Sequence, residues 1–135
     1  MCVDWIGDWH TATEDITTYK IVRQEKSRKS EDRFRSATRS NSRILQTGIG
    51  TCSGYGKMKI YKLEVASTAP NPGIYCLASL QQAKGQIQTW QRNNPDAHFV
   101  LLEVLIPART KIRYGSTLFD HQTINARKIV PVRVV

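Results

Sequence analysis

A chain of 135 residues with 40% hydrophobic and 23% charged side chains has the size and composition of one globular domain, and its formal net charge of +9 directs it toward anionic partners. Its apolar runs fall short of the ~18 residues of a membrane-spanning helix, which argues against a helical membrane protein. Cys2, Cys52 and Cys76 are odd in number and widely spaced, so neither a disulfide framework nor a metal-binding pair is expected, and free thiols point to a reducing, cytoplasmic setting.

Residues 1–9 carry Asp4 and Asp8 before any apolar stretch and have no basic region leading into an apolar one, so an export signal is not expected. Trp5 and Trp9 are spaced to share one face of a short helix and to pack on the core. Residues 16–22, rich in β-branched and aromatic side chains, predict a strand. Between Lys20 and Arg43 stand nine Lys and Arg residues against Glu25, Glu31 and Asp32, a local balance of +6. Residues 27–42 are mostly Ser, Arg and Lys and bury too little apolar surface to offset the entropy of ordering, so a mobile basic loop is expected at about residues 24–43. Its Arg28, Lys29, Arg33, Arg35, Arg39 and Arg43 are candidate contacts to nucleic acid, and the plainer reading is a solvated loop.

The Gly-rich stretch 48–56 lacks both the Gly-Lys-Ser/Thr ending of a P-loop and the spacing of a dinucleotide fingerprint, and reads as a flexible turn before a strand at 58–65. Ala69-Pro70-Asn71-Pro72-Gly73 is a turn leading into a short strand at 74–77. Ser79 with Gln82 forms a capping box, and Leu80, Ala83, Ile87 and Trp90 recur at helical spacing, so a helix starts at Ser79 and ends near Asn93, Asn94 and Pro95. Residues 98–106 predict a buried central strand whose exception is Glu103, residues 110–114 a further strand, and residues 115–122 a polar connection. Residues 129–135 predict a last strand, in which Pro131 favours an edge or a bulge. The expected fold is one α+β domain over 1–135: a compact, mostly antiparallel sheet of about six strands, open to being split, with one or two helices.

Glu103 shares a strand face with Phe99, Leu101 and Leu105, where an ionised carboxylate is costly unless it is paired or faces a cleft. Arg23, at the end of the first strand, is a candidate partner for it or a clamp for phosphate. His10, His98 and His121 lie far apart with no ligand-spaced cysteine or carboxylate beside more than one of them, so no metal site is expected. No nucleophile elbow or kinase signature occurs.

Four segments stand in order along the chain: Tyr19-Lys20-Ile21-Val22-Arg23, Gly73-Ile74-Tyr75 ahead of the capped helix, Leu102-Glu103-Val104, and Asn125-Ala126-Arg127-Lys128-Ile129-Val130. In this order the chain resembles small ADP-ribosyltransferase-like domains, and it is also similar to short phage and bacterial domains of unknown function. The resemblance implies a split sheet and NAD as cofactor, with Arg23, Gly73 and Tyr75 in cofactor binding and Tyr75 stacked on the nicotinamide. It also implies that Glu103 or Asp120 supplies the catalytic negative charge beside Tyr75. Arg23, Tyr75 and Glu103 are then expected to converge on one cleft. The reading is an ADP-ribosyltransferase-like nucleotide-binding domain, with catalysis left open. The alternative is a non-catalytic nucleic-acid-binding module, or a phage-type inhibitor that docks a basic surface on a host protein complex.

Overall fold

Runs of β-branched and aromatic residues dominate the chain, and they pair into an α+β fold in which one helix lies on an antiparallel sheet. The computed structural model describes residues 2–24, 33–36, 49–52, 60–68, 73–96, 98–116 and 121–135. In chain order the elements are β1 (Cys2–Ile6), β2 (His10–Thr11), β3 (Ile16–Gln24), β4 (Arg33–Ser36), β5 (Ile49–Cys52), β6 (Ile60–Lys62), β7 (Ser67–Thr68), β8 (Ile74–Leu77), α1 (Leu80–Asn93), β9 (Phe99–Ile106), β10 (Lys111–Ser116), β11 (Gln122–Ala126) and β12 (Lys128–Val134). The main strand order is β5-β1-β10-β11-β8-β3-β9-β12-β7. No helix among the described residues is long and apolar enough to cross a membrane.

β3 is the hub. Its whole length pairs with β9, from Ile16↔Ile106 to Arg23↔Phe99. Its other edge is divided: β8 meets it at Tyr19↔Leu77, and β4 takes over from Val22↔Ser36 to Gln24↔Phe34. The alternation of a strand then sorts the side chains. Val22, Cys76, Leu102, Val104 and Ile124 belong to the larger apolar cluster. Ile21, Leu77, Phe99 and Leu101 form a second cluster under Ala83, Leu80, Ile87 and Trp90 of α1.

Lys20 and Tyr75 meet where β8 and β3 part. The buried Lys20 Nζ donates to the Tyr75 carbonyl oxygen at 2.8 Å and lies 5.6 Å from the centre of the Tyr61 ring. Burial pushes the Lys20 amine below its ordinary value, with Cys76 opposing. Burial pushes the Cys76 thiol up, against the pull of Lys20 and a hydrogen bond with Thr18.

Several sequence expectations are met. The strand at 74–77 has the expected bounds, the strand at 98–106 becomes β9, and Ser79 caps α1 by accepting from the Gln82 amide at 3.3 Å. Pro131 marks a register shift in the β9–β12 ladder, as an irregular strand requires.

Others are corrected. The sheet has twelve strands among the described residues, not about six, because short segments such as β2 and β7 are recruited by backbone pairing that composition does not reveal, whereas β6 falls within the strand expected at 58–65. Trp5 lies in β1, paired with Ser116 and Ile49, and not in a helix with Trp9, since β1 has backbone partners on both edges. Part of the expected basic loop, Arg33–Ser36, is β4, held between β3 and β6. Part of the Gly-rich turn, Ile49–Cys52, is β5. Residues 53–59 and the turn at 69–72 lie outside the described residues.

Two stability measurements follow. Ser79→Ala should cost on the order of 1 kcal/mol in denaturant unfolding, through loss of the cap. Lys20 is neutral in the fold over a pH range in which the unfolded chain protonates it, so its contribution to stability rises with pH up to the unfolded value of about 10.4. Cys76, raised by burial, contributes in the opposite sense above about 8.5. Lys20→Met removes the first contribution and, with the pull of the amine gone, lets the Cys76 thiol rise further, which lowers the stability of the variant at high pH. The stability difference between the two proteins should therefore move in favour of the wild type as the pH rises toward 10, by up to about 1.4 kcal/mol per pH unit. A constant difference would contradict the burial argument.

Candidate functional site

Three adjacent strands place three polar side chains in one row. Tyr75 of β8 stands opposite Asn125 of β11, which stands opposite Arg113 of β10. Residues directly opposite share a face and are separated by the strand spacing of about 4.8 Å. Tyr75 and Asn125 are fully buried and Arg113 is partly so. Thr123, two residues before Asn125 and thus on the same face, is buried as well.

This row is poorly satisfied. Neither Oδ1 nor Nδ2 of Asn125 has a hydrogen-bond partner among the described residues, and neither does Thr123 Oγ1. A buried polar group without a partner costs roughly 1–3 kcal/mol, so several in one stripe mark a place kept polar for another reason. Arg113 is hydrogen-bonded to the Tyr75 side chain. Burial pushes its guanidinium below the ordinary value; Tyr75 opposes this and the nearby Arg127 adds to it. Arg113 remains a cation, as guanidinium groups in proteins do.

Trp9 lies across the row. The guanidinium carbons of Arg113 and Arg127 are 4.3 and 4.8 Å from the centre of its ring. Arg127 is exposed, and its backbone amide is fixed by a bond to the Lys111 carbonyl at 3.1 Å. Gly73 closes the other side. With φ of +90°, it adopts a conformation that side chains disfavour, and a Cβ there would collide with Asn125 Oδ1 and come 3.0 Å from Trp9 Cη2. Backbone, carboxamide and indole edge therefore meet at one point.

The residues singled out from sequence are scattered. Tyr75 and Gly73 belong to this row. Glu103 does not: it accepts two hydrogen bonds at 3.2 Å from the Nε and Nη2 of Arg133 on β12. Arg23 lies with its guanidinium 5.3 Å from the Phe99 ring and borders a cleft of about 360 Å³ with Asn93, Asn94, Pro95 and Asp96. Glu103 pairs with Tyr19 and Phe99 with Arg23, so Arg23 and Glu103 stand four residues apart along β3, roughly 13 Å. The expected convergence of Arg23, Tyr75 and Glu103 is thus corrected. The register of β12 supplies Glu103 with a partner of its own. Asp120, Arg28, Lys29, Arg39 and Arg43 lie outside the described residues, and Arg33 and Arg35 lie in β4. His121 borders a groove of about 650 Å³ along α1, lined by Gln81, Gln82 and Gln86.

Sequence reasoning missed Trp9, Arg113, Asn125 and Arg127 as a group. Asn125 sits between the apolar Ile124 and Ala126, where alternation expects a polar residue on an open face, and only the fold shows that face to be buried and joins it to residues so far away. No family model, curated protein or solved structure matches the chain.

Gly73→Ala tests the geometry directly. The positive φ and the collision with Asn125 should together destabilise the fold by about 1–3 kcal/mol in denaturant unfolding. A neutral effect would mean that Asn125 is not packed against Gly73.

Proposed function

We propose that this chain is a nucleotide-binding domain that takes an anionic ligand with a planar ring at the Trp9 site. The observation that carries the reading is the pair of guanidinium groups on one indole, beside a buried carboxamide with no hydrogen-bond partner among the described residues. Two like charges held this close repel, and a phosphate between them would relieve that repulsion and gain charge-assisted hydrogen bonds. The flat surface and the unmet donor and acceptor suit a nucleobase.

The resemblance to ADP-ribosyltransferase-like domains supports the same ligand class, NAD or ADP-ribose, since Gly73 and Tyr75 of the resembling segment belong to the site. Transfer chemistry has weaker support. Glu103, the carboxylate suggested for it, is engaged by Arg133 at another part of the sheet. Binding without transfer is therefore the preferred form of the proposal. A second reading, nucleic-acid binding, rests on the +6 balance between Lys20 and Arg43 and on β4, which carries Arg33 and Arg35 along the edge of β3.

Calorimetric titration with NAD, ADP-ribose, ATP and short RNA and DNA separates these readings. On the nucleotide reading, Arg127→Ala should weaken nucleotide binding at least about tenfold, the value of a charge-assisted hydrogen bond of about 1.5–3 kcal/mol, and leave the exposed position's effect on stability small. On the polymer reading, changing Arg28, Arg33, Arg35 and Arg39 to Ser should flatten the salt dependence of RNA or DNA binding. Wild-type protein that binds no nucleotide would overturn the first reading.

A further inference from the structure

The indole of Trp9 is itself a flat heteroaromatic ring on two guanidinium groups, with its six-membered edge directed at Gly73 and Asn125. It is an incomplete fit. An indole offers one N–H donor and no acceptor, so it cannot serve the donor and the acceptor that Asn125 leaves without partners. An adenine ring carries an amino donor next to a ring-nitrogen acceptor, the pair that a carboxamide binds in two-pronged fashion. Asn125 is 1% exposed, so no ligand reaches it while Trp9 stays in place. Trp9 can move without breaking a ladder bond, because it lies between Gly7, whose amide donates to the Tyr114 carbonyl at 2.7 Å, and His10 at the start of β2.

We propose that Trp9 is a built-in surrogate for the ligand's base: it fills the adenine slot in the empty protein, and an adenine nucleotide binds by displacing it onto the outside of the site. This rests on the nucleotide-binding reading and adds to it the base, the residue that recognises it, and an autoinhibitory contact. The guanidinium groups of Arg113 and Arg127 exchange the indole for the purine face, Arg127 reaches the phosphate, and Asn125 Oδ1 accepts from the adenine amino group while Nδ2 donates to the ring nitrogen. Guanine presents a carbonyl where adenine has the amino group, so it offers Asn125 the wrong pattern.

The test compares ATP and GTP binding by wild type, Trp9→Ala and Asn125→Leu. Displacement predicts that Trp9→Ala binds ATP about tenfold more tightly, since the cation–π contacts of the indole no longer compete. It also predicts that Asn125→Leu loses the preference for ATP over GTP. If the wild type binds ATP but Trp9→Ala binds it equally or more weakly, the indole is part of the site and the surrogate idea falls, while the nucleotide-binding reading stands. If neither protein binds either nucleotide, both fall. A readout on the wild type alone guards against a misfolded variant: on ATP saturation the Trp9 indole N–H resonance should shift to a solvent-exposed, mobile state. An indole signal that stays unchanged with ATP bound would overturn the proposal.

Discussion

The hydrogen bond from Lys20 to the carbonyl of Tyr75 holds together the two halves of the sheet. β8 leaves β3 after Tyr19↔Leu77, and the carbonyls that face the widening gap need partners. A lysine that reaches across from the buried face of β3 supplies one, and the Tyr61 ring packs with its centre 5.6 Å from the amine. An apolar residue there would avoid the desolvation of an amine but leave the fork without a donor. The two sides of Tyr75 are thereby separated in role. Its backbone is anchored from the larger core, and its side chain bonds Arg113 on the opposite face.

That opposite face is divided as well. Over β3 and β9 it is apolar and covered by α1, whose Ala83, Leu80, Ile87 and Trp90 pack on Ile21, Phe99 and Leu101. Over β8, β11 and β10 it carries Tyr75, Thr123, Asn125 and Arg113. A core built for stability alone would fill these positions with aliphatic side chains, because an unmatched carboxamide and hydroxyl are a net cost. The sheet tolerates that cost next to a well-packed cluster, which is the usual relation between a rigid scaffold and a polar site placed on it.

How much of this was legible in the chain depends on the range of the interaction. Local signals read well: the β-branched run of β3, the Ser79 cap, the apolar run of β9 and the irregularity at Pro131 all depend on residues within a few positions of each other. Signals carried by pairing did not. Glu103 looked unpartnered in its strand because Arg133, thirty positions on, is brought opposite only by the β9–β12 register. Arg33–Ser36 looked too polar for a strand, yet the backbone of β3 offers it an edge whatever its side chains are. The Trp9 group joins residues from four segments, and its members carry no shared spacing. Asn125 gave no local warning, because alternation with Ile124 and Ala126 already calls for a polar residue there, and only the packing of the other face shows it to be buried.

The charge of the chain acts on two length scales at this site. A net +9 attracts anions over the Debye length of about 8 Å at physiological salt, without regard to their identity. Within the site the order of contacts reverses that indifference. Arg127 is exposed, so on the proposed reading it meets a phosphate first, whereas Arg113 lies deeper and is oriented by Tyr75, and Asn125 is buried. Long-range attraction thus draws many anions to the surface, and on the proposed reading only a ligand that also supplies a planar ring and the complementary hydrogen-bond pattern recovers the desolvation already spent on Asn125. On the same proposed reading, specificity comes from the buried carboxamide, and the guanidinium groups set how strongly any candidate is held while it is tested.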